Sequence, residues 1–160
     1  MRHTFSIAIL VGATFLFTGC VSTKPQKTSL EIQAIQSKSF EAKRNVAFAS
    51  TLSVFQDLGY IIESADKDTG FITAKSATKN STGFWAAMGG VPQNTKTNAT
   101  AFVEELRPGL TKVRLNFVVS NSSSSAYGQN SAHDNVIEDP KVYETAFNKI
   151  GDAIFIRSGS

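Results

Sequence analysis

Few side chains in this sequence could do covalent or acid–base chemistry, and each is judged by what its neighbours offer. Cys20 is the only cysteine, and the only histidines are His3 and His133. A metal site or a histidine-based triad needs several such ligands or partners, and beyond residue 20 the chain has no second histidine and no cysteine, so His133 reads as a solvated loop residue. Glu104 and Glu105 are adjacent on an expected strand, where successive side chains point to opposite faces, so they cannot act as an acid/base pair. Asp66 and Asp68 precede Gly70, but the further carboxylates of a calcium loop are missing, and the stretch reads as a turn. Gly89-Gly90 lacks the lysine and hydroxyl pattern of a phosphate loop. No nucleophile, base and orienting group converge at recognisable spacing, so the expectation is a non-enzymatic chain that needs no cofactor and no metal.

The thiol of Cys20 stands apart because of what precedes it. Arg2 supplies a positive start, Phe5 to Phe17 form an uncharged apolar stretch, and Phe17-Thr18-Gly19 leads with small residues into Cys20. An uncleaved membrane-spanning helix would need roughly 20 apolar residues, and this run is shorter. A plain secretory signal would leave Cys20 unexplained, since a lone thiol in an exported protein has no disulfide partner and is reactive, buried or chemically consumed.

Phe17-Thr18-Gly19-Cys20 resembles the lipobox of bacterial lipoproteins, with Phe17 standing where leucine is usual. The resemblance implies a signal over residues 1–19, cleavage before Cys20, and acylation of the Cys20 thiol and of the new amino terminus. Each buried methylene adds about 0.8 kcal/mol of membrane affinity, so three acyl chains would make a permanent anchor. Val21 after the cysteine, rather than aspartate, implies by the same analogy sorting to the outer membrane, with the periplasmic face as the default orientation.

Residues 20–29 then read as a lipidated cysteine and a polar tether, and residues 30–160 as one α+β periplasmic domain. Loss of Arg2 with the signal takes sixteen basic side chains to fifteen, against thirteen acidic ones, a formal charge of +2 that is too weak to imply nucleic acid. Twelve phenylalanines in the chain point to a fold that relies on burial rather than on disulfides.

The elements that would position any site follow from periodicity. Leu30 to Gln36 mixes apolar and polar residues well enough for a short strand, or else closes the tether. Glu41 to Leu58 has a helical stripe of Phe48, Leu52, Phe55 and Leu58, closed by Gly59. Tyr60–Ala65 and Phe71–Lys75 flank the turn sequence DKDTG as one antiparallel hairpin. Asn98–Leu106 and Leu110–Ser120 make a second hairpin around Arg107-Pro108-Gly109, with Val113, Leu115, Phe117 and Val119 alternating against Lys112, Arg114 and Asn116. Asn121 to Asn135 is polar, low-complexity and expected to be a loop. Asp139-Pro140 opens a last helix whose apolar face runs from Val142 to Ile154. The expected architecture is a two-layer α+β sandwich, a four- or five-stranded antiparallel sheet with two helices packed on one face.

The run Phe55-Gln56-Asp57-Leu58-Gly59-Tyr60, with Ile62, Ala65-Asp66 and Gly70 to Ala74 behind it, resembles a recurring module of small uncharacterised proteobacterial lipoproteins. It is more loosely similar to the helix-and-sheet repeats of BamC, an accessory lipoprotein of the outer-membrane β-barrel assembly machine. The remaining long connection, Ser76 to Thr97, holds Phe84, Trp85 and Met88 between polar flanks. Exposed, those three side chains are the candidates for contact with a membrane interface or a partner groove; folded inward they would cap the core, and a disordered loop is the third reading. The expected function is that of a lipid-anchored accessory or structural binding subunit at the outer membrane, meeting the bilayer through Cys20 and an envelope protein as partner. The alternative is a carrier or sensor of a small apolar ligand, such as a lipid, held between sheet and helices.

Overall fold

The computed structural model describes residues 27–76, 96–124 and 130–159. The signal, Cys20 and the aromatic candidates Phe84, Trp85 and Met88 lie outside them. The elements are α1 (Ser29–Gln36), β1 (Ser37–Phe40), α2 (Arg44–Asp57), β2 (Tyr60–Asp66), β3 (Phe71–Ser76), β4 (Lys96–Arg107), β5 (Leu110–Ser124), β6 (Asn130–Val136) and α3 (Pro140–Ser158). The strands form one antiparallel sheet in the order β1-β5-β4-β3-β2, with β6 also paired to β5. Helices α2 and α3 cover one face, so the molecule is the α+β sandwich expected, with six strands among the described residues.

Alternation decides what faces the helices. Ile72 and Ala74 of β3, Ala99, Ala101 and Val103 of β4, and Val113, Leu115 and Phe117 of β5 are all buried. They meet Phe48, Val54 and Phe55 from α2 and Val142, Tyr143, Phe147 and Ile150 from α3 in a single cluster. Register puts Ala74 beside Ala99 and Ala99 beside Phe117, so small residues at the sheet centre leave room for aromatic ones beyond. Phe117 has its ring centroid 6.2 Å from that of Phe55 and 5.4 Å from that of Tyr143, distances at which tilted aromatic pairs attract. Each such side chain contributes about 1.5–3 kcal/mol by burial, which makes this cluster the main source of stability.

The helix ends are explained locally. Asp139 accepts a hydrogen bond from the Lys141 amide at 3.0 Å, and Pro140 fills a first-turn position that needs no donor. Helix α2 begins at Arg44 rather than at Glu41 and stops before Gly59, whose φ of 84° takes the chain out of the helix.

Two segments depart from the sequence-based expectation. Residues 30–36 are helical, not a strand or the end of a tether. Thr28 accepts from the Glu31 amide at 3.3 Å, and Glu31 Oε2 accepts from the Thr28 amide at 2.7 Å. That reciprocal cap satisfies two donors that a short helix could not otherwise pair. Residues 121–124 and 130–135 are not loop but strand, the outer ends of β5 and β6, with pairing that runs from Val118–Val136 to Ser124–Asn130. The ladder pairs main-chain groups whatever the side chains, and Ser120 Oγ adds a bond to Asp134 Oδ1 at 2.7 Å, so a polar composition does not forbid it. His133 lies in β6 opposite Asn121, in strand rather than loop.

Candidate functional site

The same alternation that fills the core sends every second side chain to the sheet face away from α2 and α3. Phe71 of β3, Phe102 of β4 and Arg114 of β5 stand in one row across the strands, and Thr73, Thr100 and Asn116 stand in the next. A solvated sheet face calls for polar residues, yet Phe71 is 53% exposed and packs on Phe102 as a tilted pair with ring centroids 4.7 Å apart. Lys112 and Glu104, also directly paired, close the next row with an ion pair at 3.0 Å.

A wall rises beside this floor because of how β5 is shared. Its edge pairs with β1 over Thr111–Arg114 and with β6 from Val118 onward, leaving Leu115–Phe117 between them. The Phe117 carbonyl in that gap accepts from the Ile137 amide at 2.9 Å. Helix α1 leans on the same gap through Gln36, which is 4% exposed. Gln36 Nε2 lies 3.4 Å from both Asn116 Oδ1 and the Tyr143 hydroxyl, and Arg114 Nη2 lies 3.4 Å from Gln36 Oε1. These are long contacts, so the firm anchor is the Tyr143 hydroxyl, which donates to the Ile137 carbonyl at 2.7 Å. Burial pushes the Tyr143 phenol above its ordinary range, and this keeps it a donor.

Ile32, four residues before Gln36, shares its side of α1 and completes the wall. With Phe71, Thr100, Phe102, Arg114, Asn116, Val136 and Glu138, it encloses a cleft of about 480 Å³ between α1 and the sheet. Its surface is mostly apolar, with two packed rings, one guanidinium, one carboxylate and a few amide and hydroxyl groups. Such a set can hold and orient a ligand. Its one cation is Arg114, which does not give up its proton, and its one carboxylate is Glu138.

The other chemically capable residues are placed apart from the cleft or spent on local structure. Glu105 accepts from the Gly109 amide at 3.1 Å, while Glu104 binds Lys112, so the two carboxylates do face apart. Asp66 accepts from the amides of Asp68 at 2.9 Å and Thr69 at 3.3 Å, and hydrogen bonds from Thr69 hold its carboxyl below the usual range. Among the described residues no cluster of three or more His, Cys, Asp or Glu is placed to hold a metal ion. No helix among them is long and apolar enough to cross a membrane.

The sequence reasoning missed Phe71, Phe102 and Arg114. A signal was present: Phe71-Ile72 and Ala101-Phe102-Val103 break strict alternation, so an apolar side chain must sit on the face that the helices leave open.

No protein-family model matches this chain, and no curated protein matches it either. Among solved structures, the adenylate sensor from AMP-activated protein kinase, in complex with 5-aminoimidazole-4-carboxamide 1-β-D-ribofuranotide, superposes with a TM-score of 0.41. It is 10% identical, over 74% of this chain and 94% of that one. A likeness of that size carries no inference about this chain.

Proposed function

We propose that this chain is a lipid-anchored envelope protein, a non-enzymatic accessory or structural binding subunit at the outer membrane, and that it binds through the open face of its sheet. The anchor rests on the lipobox-like residues ending at Cys20. The observation that supports a binding role is the cleft between α1 and the sheet, floored by Phe71 and Phe102 on a face that sheet physics alone would leave polar. Binding to an envelope protein is the first reading, with Phe84, Trp85 and Met88 as further contact candidates from the sequence.

A photo-crosslinking amino acid at Thr100, which is exposed in the cleft, tests this in intact cells against the same group at Gln56, exposed on α2. One defined envelope protein captured from Thr100 and not from Gln56 is the expected result. The same products from both positions, or none from Thr100, would remove the cleft as the docking surface.

A second reading, a carrier or sensor of a small apolar ligand such as a lipid, is favoured by the size of the cleft. Small-molecule sites occupy about 300–1,000 Å³, and this one is about 480 Å³. The cleft lies on the sheet face opposite α2 and α3, not between sheet and helices where the sequence placed such a ligand.

A further inference from the structure

We infer that the cleft is a site for a singly charged anionic amphiphile, an acyl or aryl carboxylate whose apolar body lies on Phe71 and Phe102 and whose carboxylate meets the Arg114 guanidinium. This rests on the second reading, that a small ligand occupies the cleft, and adds which chemistry that ligand carries.

Three features of the row across β3, β4 and β5 argue for it. Phe71 pairs with Phe102 and Phe102 with Arg114, so an apolar strip runs straight to one cation. Two residues along β5, Lys112 is neutralised by Glu104 at 3.0 Å, whereas Arg114 has no ion-pair partner among the described residues. Its Nη2 reaches Gln36 Oε1 at a long 3.4 Å, which leaves most of the planar donor fork free for the two oxygens of a carboxylate. Glu138 also lines the cleft and makes no ion pair with Arg114. Its negative charge on the rim repels a second anionic group, which selects a monoanion over a dianion.

The three features make separate demands on a ligand. An uncharged apolar molecule would displace water from the Arg114 guanidinium and leave it only the long contact to Gln36 Oε1, which is unfavourable. A cation would face Arg114 directly. A small polar anion would leave the two rings wet. Only a molecule with both an apolar body and one negative end meets all three.

The experiment is a ¹H–¹⁵N NMR titration of the chain from Val21 onward, which contains every described residue, with octanoate, octan-1-ol and octylammonium. Octanoate is expected to saturate a single site, with shifts centred on Phe71, Phe102 and Arg114. Octan-1-ol should bind about five- to tenfold more weakly, and octylammonium weaker still. Arg114→Gln should reduce octanoate affinity by the same five- to tenfold and leave octan-1-ol unchanged, while Glu138→Gln should tighten octanoate two- to threefold. Arg114 is exposed, so its replacement leaves the core untouched, and Glu138→Gln provides a second arm that gains rather than loses binding. Equal affinity for octanoate and octan-1-ol, or an Arg114→Gln chain that binds octanoate as well as the parent, would overturn the charge recognition and leave the small-ligand reading standing. If none of the three probes shifted the cleft resonances, both would fall.

Discussion

Replacing Gly70 with alanine tests whether the β2–β3 turn is what seats Phe71 in the cleft floor. Gly70 has φ of 83°, and its amide donates to the Asp66 carbonyl while its own carbonyl accepts from the Val103 amide, each at 2.9 Å. A left-handed backbone costs an alanine about 1–2 kcal/mol. An added Cβ would also fall well under 3.0 Å from the Val103 carbonyl oxygen and 2.9 Å from Arg44 Nη2. The backbone oxygen cannot move without parting β3 from β4. Arg44 cannot move without loosening its bonds to the carbonyls of Val103 at 3.2 Å and Asp68 at 2.8 Å. Loss of one or two such bonds adds about 1–2 kcal/mol, for a total of about 2–4 kcal/mol. In a domain of this size that lowers Tm by about 8–15 °C. Gly109 provides the control, since its φ is 79° but nothing lies within 4 Å of the added carbon, so Gly109→Ala should cost only the conformational part, about 1–2 kcal/mol. Thermal and urea unfolding followed by far-ultraviolet circular dichroism measure both variants. Equal losses in the two would refute the crowding argument, and a Gly70→Ala chain that kept parental octanoate binding would refute the claim that this turn positions Phe71.

Two further outcomes follow from single groups. Ser50 is fully buried on α2 and its hydroxyl has no hydrogen-bond partner among the described residues, so Ser50→Ala should leave stability unchanged or raise it by up to about 1 kcal/mol in urea unfolding; a clear loss would mean that the hydroxyl is paired. The Tyr143 phenol is raised by burial, so the folded chain holds that proton more tightly than the unfolded one. The contribution is fully present below the unfolded tyrosine value of about 10 and is lost as pH climbs through the higher folded value. Tyr143→Phe should cost about 1 kcal/mol at neutral pH through the lost bond to the Ile137 carbonyl, and should flatten the decline in stability above pH 10. An unchanged alkaline decline in the variant would count against that assignment.

Much of the architecture was legible because its signals are local. Alternation in β5 marks Val113, Leu115 and Phe117 as inward, and all three are fully buried. The stripe of α2 and the Asp139-Pro140 start of α3 give the two helices that cover them. The sequence by itself also carries the whole case for lipidation at Cys20, which depends on residue types in one short run rather than on any contact. The cap that makes α1 a helix was present as Thr28 and Glu31, three residues apart, but Thr28 fell in what read as tether and Glu31 in what read as a short strand or the tether's end.

The cleft was decided by tertiary structure alone. Phe71, Phe102 and Arg114 are spread over more than forty positions of sequence, and only the registers of β3 on β4 and β4 on β5 bring them into one row. Its wall exists because β1 and β6 pair with the same edge of β5 and stop short of each other, which lets Gln36 reach Asn116 and Tyr143 across 80 and 107 residues of chain. Periodicity reports which side of its own strand a residue faces. Which strands become neighbours, and in what register, is set by the free energy of the whole packed sheet, and no window of sequence contains it.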